Sequence, residues 1–425
     1  MRRVSVIAIL VCGCLFAHPK PSADAVFAQI DSIVATLSSI TGLSVRHTVP
    51  YGRMNKAQLK KFLAKRVKRT LRPDEIYADE IALKMLGLVP QDFDLKTSTI
   101  DLLTEQAAAF YDYDKKRLFL LDDSSFTEET TTLAHELSHA LADQHFNLGK
   151  FMDEEPSNDD EDLAHTAVVE GQACWLMLAY DLKHAGKDPA PTEDMLKSVV
   201  DSSETSMSDF PVLKSSPLYI QQSLLFPYTE GTLFFDAVYK KLGKRAFAAV
   251  FEDPPIDTAQ IIHPELYFRH QKPAAPPVPT VTDQNKHKEI TEGTLGEFDH
   301  EMLLRQYDGE DLSASLSPHL RGGEYEILAV GKDRRPVLEY ASEWDSPEQA
   351  NRYFRAYERV LKGKWKRCDW SVEKQNLLAG TGDDGYFITK LNGVTVTSVE
   401  GLSDPAEWRR LQEAASATSP VNVVF

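Results

Sequence analysis

Apolar side chains recur three and four residues apart through much of the first 270 residues. This period is typical of amphipathic helices, and it predicts helices over residues 26–45 and 56–72, around His135, and over 159–183 and 229–242. Residues 107–121 follow a strand-like pattern around a polar turn, which predicts a β-hairpin shortly before the His135 helix. The first part of the chain is therefore predicted to be mainly helical, with one small edge hairpin.

The pattern changes after residue 270. Residues 273–279 are rich in proline and have no apolar period, which is typical of an extended linker. Beyond them, strand-like runs alternate with a helix near residues 347–361, which predicts a small α+β domain. The predicted fold class is α+β, with a helical domain over residues 26–270, a linker over 271–293 and the small α+β domain over 294–425.

The first 25 residues have the composition of a signal peptide. Two arginines precede a largely apolar run over residues 4–17, which is too short to cross a bilayer comfortably. Small residues around Ala25 provide a cleavage site, so residues 1–25 are predicted to be a removable signal and the protein to be secreted or periplasmic. Cys14 lies in a poor lipobox, which leaves a lipid anchor open. No later stretch has the apolar length of a transmembrane helix.

Acidic residues outnumber basic ones. The chain has 47 Lys and Arg against 64 Asp and Glu, a formal net charge of −17. Nucleic-acid binding requires a basic surface, so we predict no nucleic-acid partner. Cys174 and Cys368 are the two cysteines beyond the predicted signal, too few for a disulfide framework. The two could pair with each other in an oxidising compartment, but we expect Cys174 to pack as a small buried apolar residue.

The segment His135-Glu136-Leu137-Ser138-His139 carries the clearest chemistry in the sequence. Histidines four residues apart lie on one face of a helix, one turn from each other, so both imidazoles can bind one metal ion. Glu136 follows the first histidine and can take a proton from metal-activated water. The motif predicts a zinc centre with His135 and His139 as ligands and Glu136 as general base.

A catalytic zinc ion needs a third protein ligand and one open position. We predict Glu170, because it lies in an apolar helix where an unpaired carboxylate is costly. The small residues near it are expected to let this helix approach the His135 helix closely. His165 and Glu230 remain alternatives. Glu230 is expected near the start of its helix, after Pro227, where the helix dipole already stabilises a carboxylate.

Several other polar residues are candidates for supporting roles. Asp143 lies one turn beyond His139 and could orient a metal ligand. His263 is predicted to be catalytic, as a donor to a developing oxyanion, and Tyr228 and Tyr267 are alternatives for that role. An ordinary buried hydrogen bond is the competing interpretation for each of these donors.

With these motifs the chain resembles the zincin superfamily of metallopeptidases, and a glutamate ligand on a later helix makes it similar to the gluzincin branch. The resemblance implies that a strand beside the active helix, either Arg117–Leu121 or Ala107–Tyr111, pairs with an extended peptide substrate. It also implies the metal ligands His135, His139 and Glu170, with Glu136 as general base.

The chain departs from the thermolysin-like pattern at Cys174, because those enzymes carry an acid four residues beyond their glutamate ligand. It also resembles uncharacterised secreted bacterial proteins that share the segments AHELxHALxDQHF and VEGxA, which here are residues 134–146 and 169–173. That resemblance implies a peptidase and indicates no substrate.

The predicted function is hydrolysis of peptide bonds, with Zn²⁺ as cofactor and a peptide or protein as substrate. The alternative is a non-catalytic secreted or envelope-associated binding or scaffold protein with a zincin-like fold. The alternative draws support from residues 294–425, where no catalytic constellation is recognisable. Glu136 favours the enzyme, because a purely structural zinc site needs no general base and usually has four protein ligands.

Overall fold

The computed structural model describes most of the chain beyond the predicted signal. The described residues are 29–70, 73–106, 109–122, 130–153, 156–206, 210–280, 287–331 and 334–417. The predicted signal peptide and the lipid-anchor candidate Cys14 lie outside these ranges. The chain divides into two units, and the first contains the residues up to Ile76 together with Asp94–Gln271. The second contains Tyr77–Phe93 together with the residues from Lys272 onward.

The first unit is mainly helical. Its strands are β1 (Tyr51–Met54), β2 (Ala109–Asp112) and β3 (Arg117–Leu121). Its helices are α1 (Ile30–Thr41), α2 (Lys56–Thr70), α4 (Leu95–Gln106), α5 (Thr130–Phe146), α6 (Leu148–Asp153), α7 (Asp159–His184), α8 (Glu193–Ser206), α9 (Pro211–Ser215), α10 (Leu218–Leu242), α11 (Ala246–Glu252), α12 (Thr258–Ile262) and α13 (Pro264–Phe268). Helix α3 (Pro73–Leu86) is divided between the two units at Tyr77.

The three strands of the first unit form one sheet in the order β1-β3-β2. Strand β3 is central, because it pairs in parallel with β1 and antiparallel with β2. The β2–β3 pair confirms the predicted hairpin. Arg117–Leu121 was one of the two strands expected to pair with a peptide. That expectation is wrong, because both edges of β3 already pair with a strand. Strand β2 is an edge among the described strands.

Helices α7 and α10 cross at two glycines. A Cβ atom on Gly171 of α7 would lie 2.1 Å from the carbonyl of Gly231 on α10, and one on Gly231 would lie 2.3 Å from the carbonyl oxygen of Ala167. Only glycine permits backbones to approach this closely. Gly171 and Ala167 therefore lie at the contact with α10. Cys174, another small residue near Glu170, lies 3.8 Å from His135 on α5, as expected from the predicted approach to the His135 helix.

Helix α10 begins earlier than the sequence predicts. It starts at Leu218, whereas Pro227 was expected to precede the start, and Pro227 lies inside it. A proline removes one backbone donor from a helix interior, and nearby the Thr229 hydroxyl donates to the carbonyl of Leu225 at 3.2 Å. Glu230 thus lies in the middle of α10, and the expectation that a helix N-terminus stabilises its carboxylate is wrong.

The second unit is built on a seven-stranded antiparallel sheet in the order β4-β5-β6-β10-β9-β8-β7. Its strands are β4 (His287–Thr294), β5 (Leu320–Val330), β6 (Arg335–Trp344), β7 (Asp369–Glu373), β8 (Leu377–Thr381), β9 (Tyr386–Asn392) and β10 (Thr395–Leu402). Its further helices are α14 (Glu297–Asp308), α15 (Glu310–Leu316), α16 (Pro347–Lys364) and α17 (Pro405–Ala417).

Helix α16 packs against this sheet through buried aromatic residues. Its Tyr353 hydroxyl is 2.6 Å from the hydroxyl of Tyr340 on β6, and both side chains are buried. Within the predicted linker, residues 272–280 form neither helix nor strand, whereas residues 287–293 belong to β4. The predicted α+β fold class is confirmed, with a helical N-terminal part and a sheet-rich C-terminal part. No helix among the described residues is long and apolar enough to cross a membrane.

Candidate metal centre

Helix α5 carries the two histidines on its buried face. His135 is 0% exposed and His139 is 2% exposed. Their Nε2 atoms lie 3.1 Å apart, as expected for residues one helical turn from each other. The two imidazoles therefore converge on one point inside the first unit.

Glu170 on α7 completes the group. Its Oε2 atom lies 3.5 Å from His135 Nε2 and 3.8 Å from His139 Nε2. A circle through these three atoms has a radius of about 2.0 Å, which is the length of a bond from imidazole nitrogen to a divalent metal. His135, His139 and Glu170 are the group of potential ligands that the described residues bring together, and they could hold a metal ion.

The electrostatics of the group favour a cation. Burial raises the pKa of Glu170 well above its ordinary value, and the Glu136 carboxylate raises it further. Neither carboxylate oxygen of Glu170 has a hydrogen-bond partner among the described residues. Burial lowers the pKa of His135 to about 3, and burial followed by His135 lowers that of His139. Both imidazoles are therefore neutral, which is the form that binds metals, and a cation would offset the buried carboxylate.

Glu136 lies beside the ligands and is 0% exposed. Its Oε2 atom accepts a hydrogen bond of 2.8 Å from the backbone N–H of Tyr111 on β2. Its Oε1 atom has no hydrogen-bond partner among the described residues. Burial raises the pKa of Glu136 to about 8, and the bond from Tyr111 acts in the opposite direction. Burial alone therefore favours the neutral carboxyl group, and a cation beside it would favour the carboxylate.

Two side chains flank His135. The Sγ atom of Cys174 on α7 lies 3.8 Å from His135 Nδ1, and Cys174 is buried, as predicted. The ring of Tyr228 on α10 stacks on the His135 ring, with 6.3 Å between centroids and 22° between planes. A metal-bound histidine usually donates its second N–H to a neighbour, and here the thiol is in the position to accept it.

Asp143 has different partners from those expected. Its Oδ2 atom accepts from the Tyr111 hydroxyl at 2.8 Å. Its Oδ1 atom accepts from Lys116 Nζ at 2.7 Å and from the Leu148 backbone N–H at 2.9 Å. Asp143 therefore joins the hairpin to the end of α5, whereas the sequence had suggested that it orients a ligand.

The alternatives for the third ligand lie in other surroundings. His165 stacks on the Phe151 ring, with 4.4 Å between centroids, and its Nδ1 atom is 3.3 Å from the Phe151 carbonyl oxygen. Glu230 interacts electrostatically with His263, which opposes the rise that burial causes in the pKa of Glu230. Neither residue belongs to the metal-ligand group formed by the described residues.

The three candidates for the oxyanion donor have different partners in the structure. Tyr267 donates its hydroxyl to the backbone carbonyl of Asp253 at 2.9 Å, which is the ordinary hydrogen-bonding role. Tyr228 lies against a metal-ligand candidate, as described above. His263 lies next to Glu230, between α12 and α13, and its catalytic role stays a prediction.

No protein-family model matches the chain, and it has no significant match among curated proteins or among solved structures.

Proposed function

We propose that the chain is a zinc-dependent peptidase in which His135, His139 and Glu170 hold the metal and Glu136 is the general base. The observation that carries this proposal is the buried triangle of ligand atoms beside Glu136, whose Oε1 atom has no hydrogen-bond partner among the described residues. The proposed site of action is outside the cytoplasm, on the basis of the signal-like residues 1–25.

The donor set supports zinc. Two imidazole nitrogens and one carboxylate oxygen are ligands that zinc takes in catalytic sites. The same donors would also suit iron(II). We favour zinc, because Glu136 would supply the general base that follows the first histidine in zinc peptidases.

Each residue of the centre then has a chemical role. A bound zinc ion supplies a Lewis acid that acidifies water and polarises a carbonyl group. Glu136 Oε2 is fixed by the backbone of Tyr111, which leaves Oε1 to take the proton of the attacking water and deliver it to the leaving amine. The neutral imidazoles of His135 and His139 are ready to bind metal without first losing a proton.

Strand β2 is the proposed docking edge for the substrate backbone. Backbone groups alternate in direction along a strand, so the polar backbone groups of Ala109 point to the same side as the Tyr111 N–H, which faces Glu136. Strand β2 has no partner strand on that side among the described residues. An extended peptide could pair with Ala109 there by strand addition, close to the general base.

One observation favours the non-catalytic alternative. The side chains of all four central residues are almost fully buried: His135, Glu136, His139 and Glu170. A structural metal ion is enclosed in this way, but it usually has four protein ligands. The described residues supply three, which is the number of protein ligands in a catalytic zinc site. We therefore retain the enzyme as the first proposal and the scaffold protein as the second.

Metal analysis and a cleavage assay separate the two. The peptidase should contain about one zinc ion per chain and cleave casein in a chelator-sensitive way. Glu136→Gln should keep the metal and lower the cleavage rate by about 10²–10⁴-fold, as expected for the loss of a positioned base. The control is Glu193→Gln, the same change at a side chain that is 89% exposed. A zinc-loaded wild type that cleaves nothing, or a Glu136→Gln variant as active as the wild type, would exclude the peptidase.

A further inference from the structure

Tyr111 is bound to α5 at two points. Its backbone N–H donates to Glu136 Oε2 at 2.8 Å, and its hydroxyl donates to Asp143 Oδ2 at 2.8 Å. Glu136 and Asp143 are seven residues apart, which is two turns along the same helix face. One residue of β2 thus spans two turns of the helix that carries the proposed base.

The second attachment point is itself held firmly. The Asp143 side chain is 1% exposed, and its Oδ1 atom accepts from both Lys116 Nζ and the Leu148 backbone N–H. Burial and then the Asp143 carboxylate raise the pKa of Tyr111, so the phenol keeps its proton and remains a donor. The Tyr111 hydroxyl therefore donates to a carboxylate whose position is fixed by Lys116 and the Leu148 N–H.

We propose that Tyr111 and Asp143 form a clamp that positions Glu136 for catalysis. The hydroxyl bond to Asp143 holds β2 against α5, and the held strand presents the Tyr111 N–H to Glu136 Oε2. One oxygen of the base is thereby fixed, and Oε1 keeps a defined direction for proton transfer. The clamp rests on the proposed function of Glu136, and Tyr111 and Asp143 act through that residue as positioning residues.

The size of the effect follows from geometry. Displacement of a catalytic group by about 1 Å can lower a rate by about 10²-fold. Tyr111→Phe removes the hydroxyl and keeps the ring, the strand and the backbone N–H. It should therefore loosen the clamp without removing any group that binds substrate or metal.

The first test is kinetic. Tyr111→Phe should lower kcat on casein-derived peptides by about 10–100-fold with KM within about twofold, because the base is displaced and the binding edge remains. Asp143→Asn should act in the same direction. In the Glu136→Gln background, Tyr111→Phe should have no further effect, because the clamp acts through Glu136. The matched control is Tyr113→Phe, which removes a hydroxyl that donates to Asp153 at 3.2 Å from the same hairpin and should leave kcat unchanged.

The second test needs no activity. Amide hydrogen exchange at residue 111 should accelerate about tenfold in Tyr111→Phe and in Asp143→Asn, and stay as in the wild type in Tyr113→Phe, because the N–H is protected by its bond to Glu136. Unchanged exchange would overturn the clamp, and so would faster exchange with unchanged kcat. A zinc-loaded wild type that cleaves nothing would overturn the peptidase instead, and the exchange rates would still decide whether Tyr111 is held as proposed.

Discussion

Replacement of Gly171 by alanine tests whether the helix crossing sets the position of the metal ligand. In an ordinary helix this change stabilises by about 1 kcal/mol. Here the new Cβ would lie 2.1 Å from the carbonyl carbon and oxygen of Gly231, whereas van der Waals contact begins near 3.4 Å. Helices α7 and α10 would have to separate by more than 1 Å. Overpacking of this kind costs about 1–3 kcal/mol or more, so we expect net destabilisation of about 1–3 kcal/mol.

The same displacement should weaken metal binding. Glu170 precedes Gly171 on α7, and its Oε2 atom must stay within 3.5 and 3.8 Å of the two imidazoles. A shift of about 1 Å is comparable to half the length of a metal–ligand bond. Mutation of residues that orient a metal ligand typically lowers metal affinity by about 10–100-fold. We therefore expect zinc affinity to fall by at least about tenfold.

Urea unfolding of the metal-free protein and zinc titration provide the measurements. Tryptophan fluorescence reports on the crossing through Trp175, a buried residue of α7 that donates to Asp236 of α10 at 3.1 Å. The other four tryptophans lie in the second unit and contribute a separate signal. The control is Gly149→Ala in α6, where the nearest atom to the new Cβ would belong to the Tyr113 ring at 3.3 Å and a change within about 1 kcal/mol is expected. Wild-type stability and zinc affinity in Gly171→Ala would refute the view that the crossing fixes Glu170.

Two further predictions address the third ligand and the second unit. Glu170→Ala should abolish tight zinc binding, whereas Glu230→Ala should leave about one zinc ion per chain; the reverse result in zinc titrations would show that the ligand lies on α10. Burial raises the pKa of Glu324 to about 7, and a hydrogen bond from Thr294 opposes the rise. A pKa above its unfolded value means that stability is lost as pH rises from about 4.5 through 7. After allowance for solvent screening, the charged Glu324 carboxylate should destabilise the fold at pH 8 by roughly 1 kcal/mol. Glu324→Gln should therefore raise the melting temperature at pH 8 by about 2–4 °C and have no effect at pH 4. An equal change at both pH values would contradict this explanation.

The proposed centre was predictable where its chemistry is local in sequence. His135, Glu136 and His139 are fixed by helical period alone, and Glu170 stands out because it is a carboxylate in an apolar helix. The contact of Glu136 with Tyr111 was missed because a backbone N–H has no residue-type signature. The contact also depends on how β2 packs against α5, and the periodicity of apolar residues does not predict that packing.

The fold shows the same division. Strands β5, β6 and β9 contain the apolar runs that predicted them, whereas β4 has the polar sequence HKEITEGT and was assigned to the linker. An edge strand of this kind carries little periodic signal. The sequence predicts the start of α10 too late, because a proline such as Pro227 is typical of a helix boundary. The crossing of α7 and α10 at Gly171 was not predicted, because small residues indicate a close approach but do not identify the neighbouring helix.

The central place of β3 in the small sheet has a consequence for how the chain can be shortened. The three candidate ligands lie within residues 135–170, a stretch short enough to be expressed as a fragment. Strand β1 covers one side of β3, however, and the sequence of β3 is the apolar run RLFLL. A fragment that starts after Met54 would expose this run as a bare strand edge, which is a template for association between copies of the chain. A fragment that is to contain the centre must therefore also include the four residues of β1, Tyr51–Met54, although none of them is a candidate ligand.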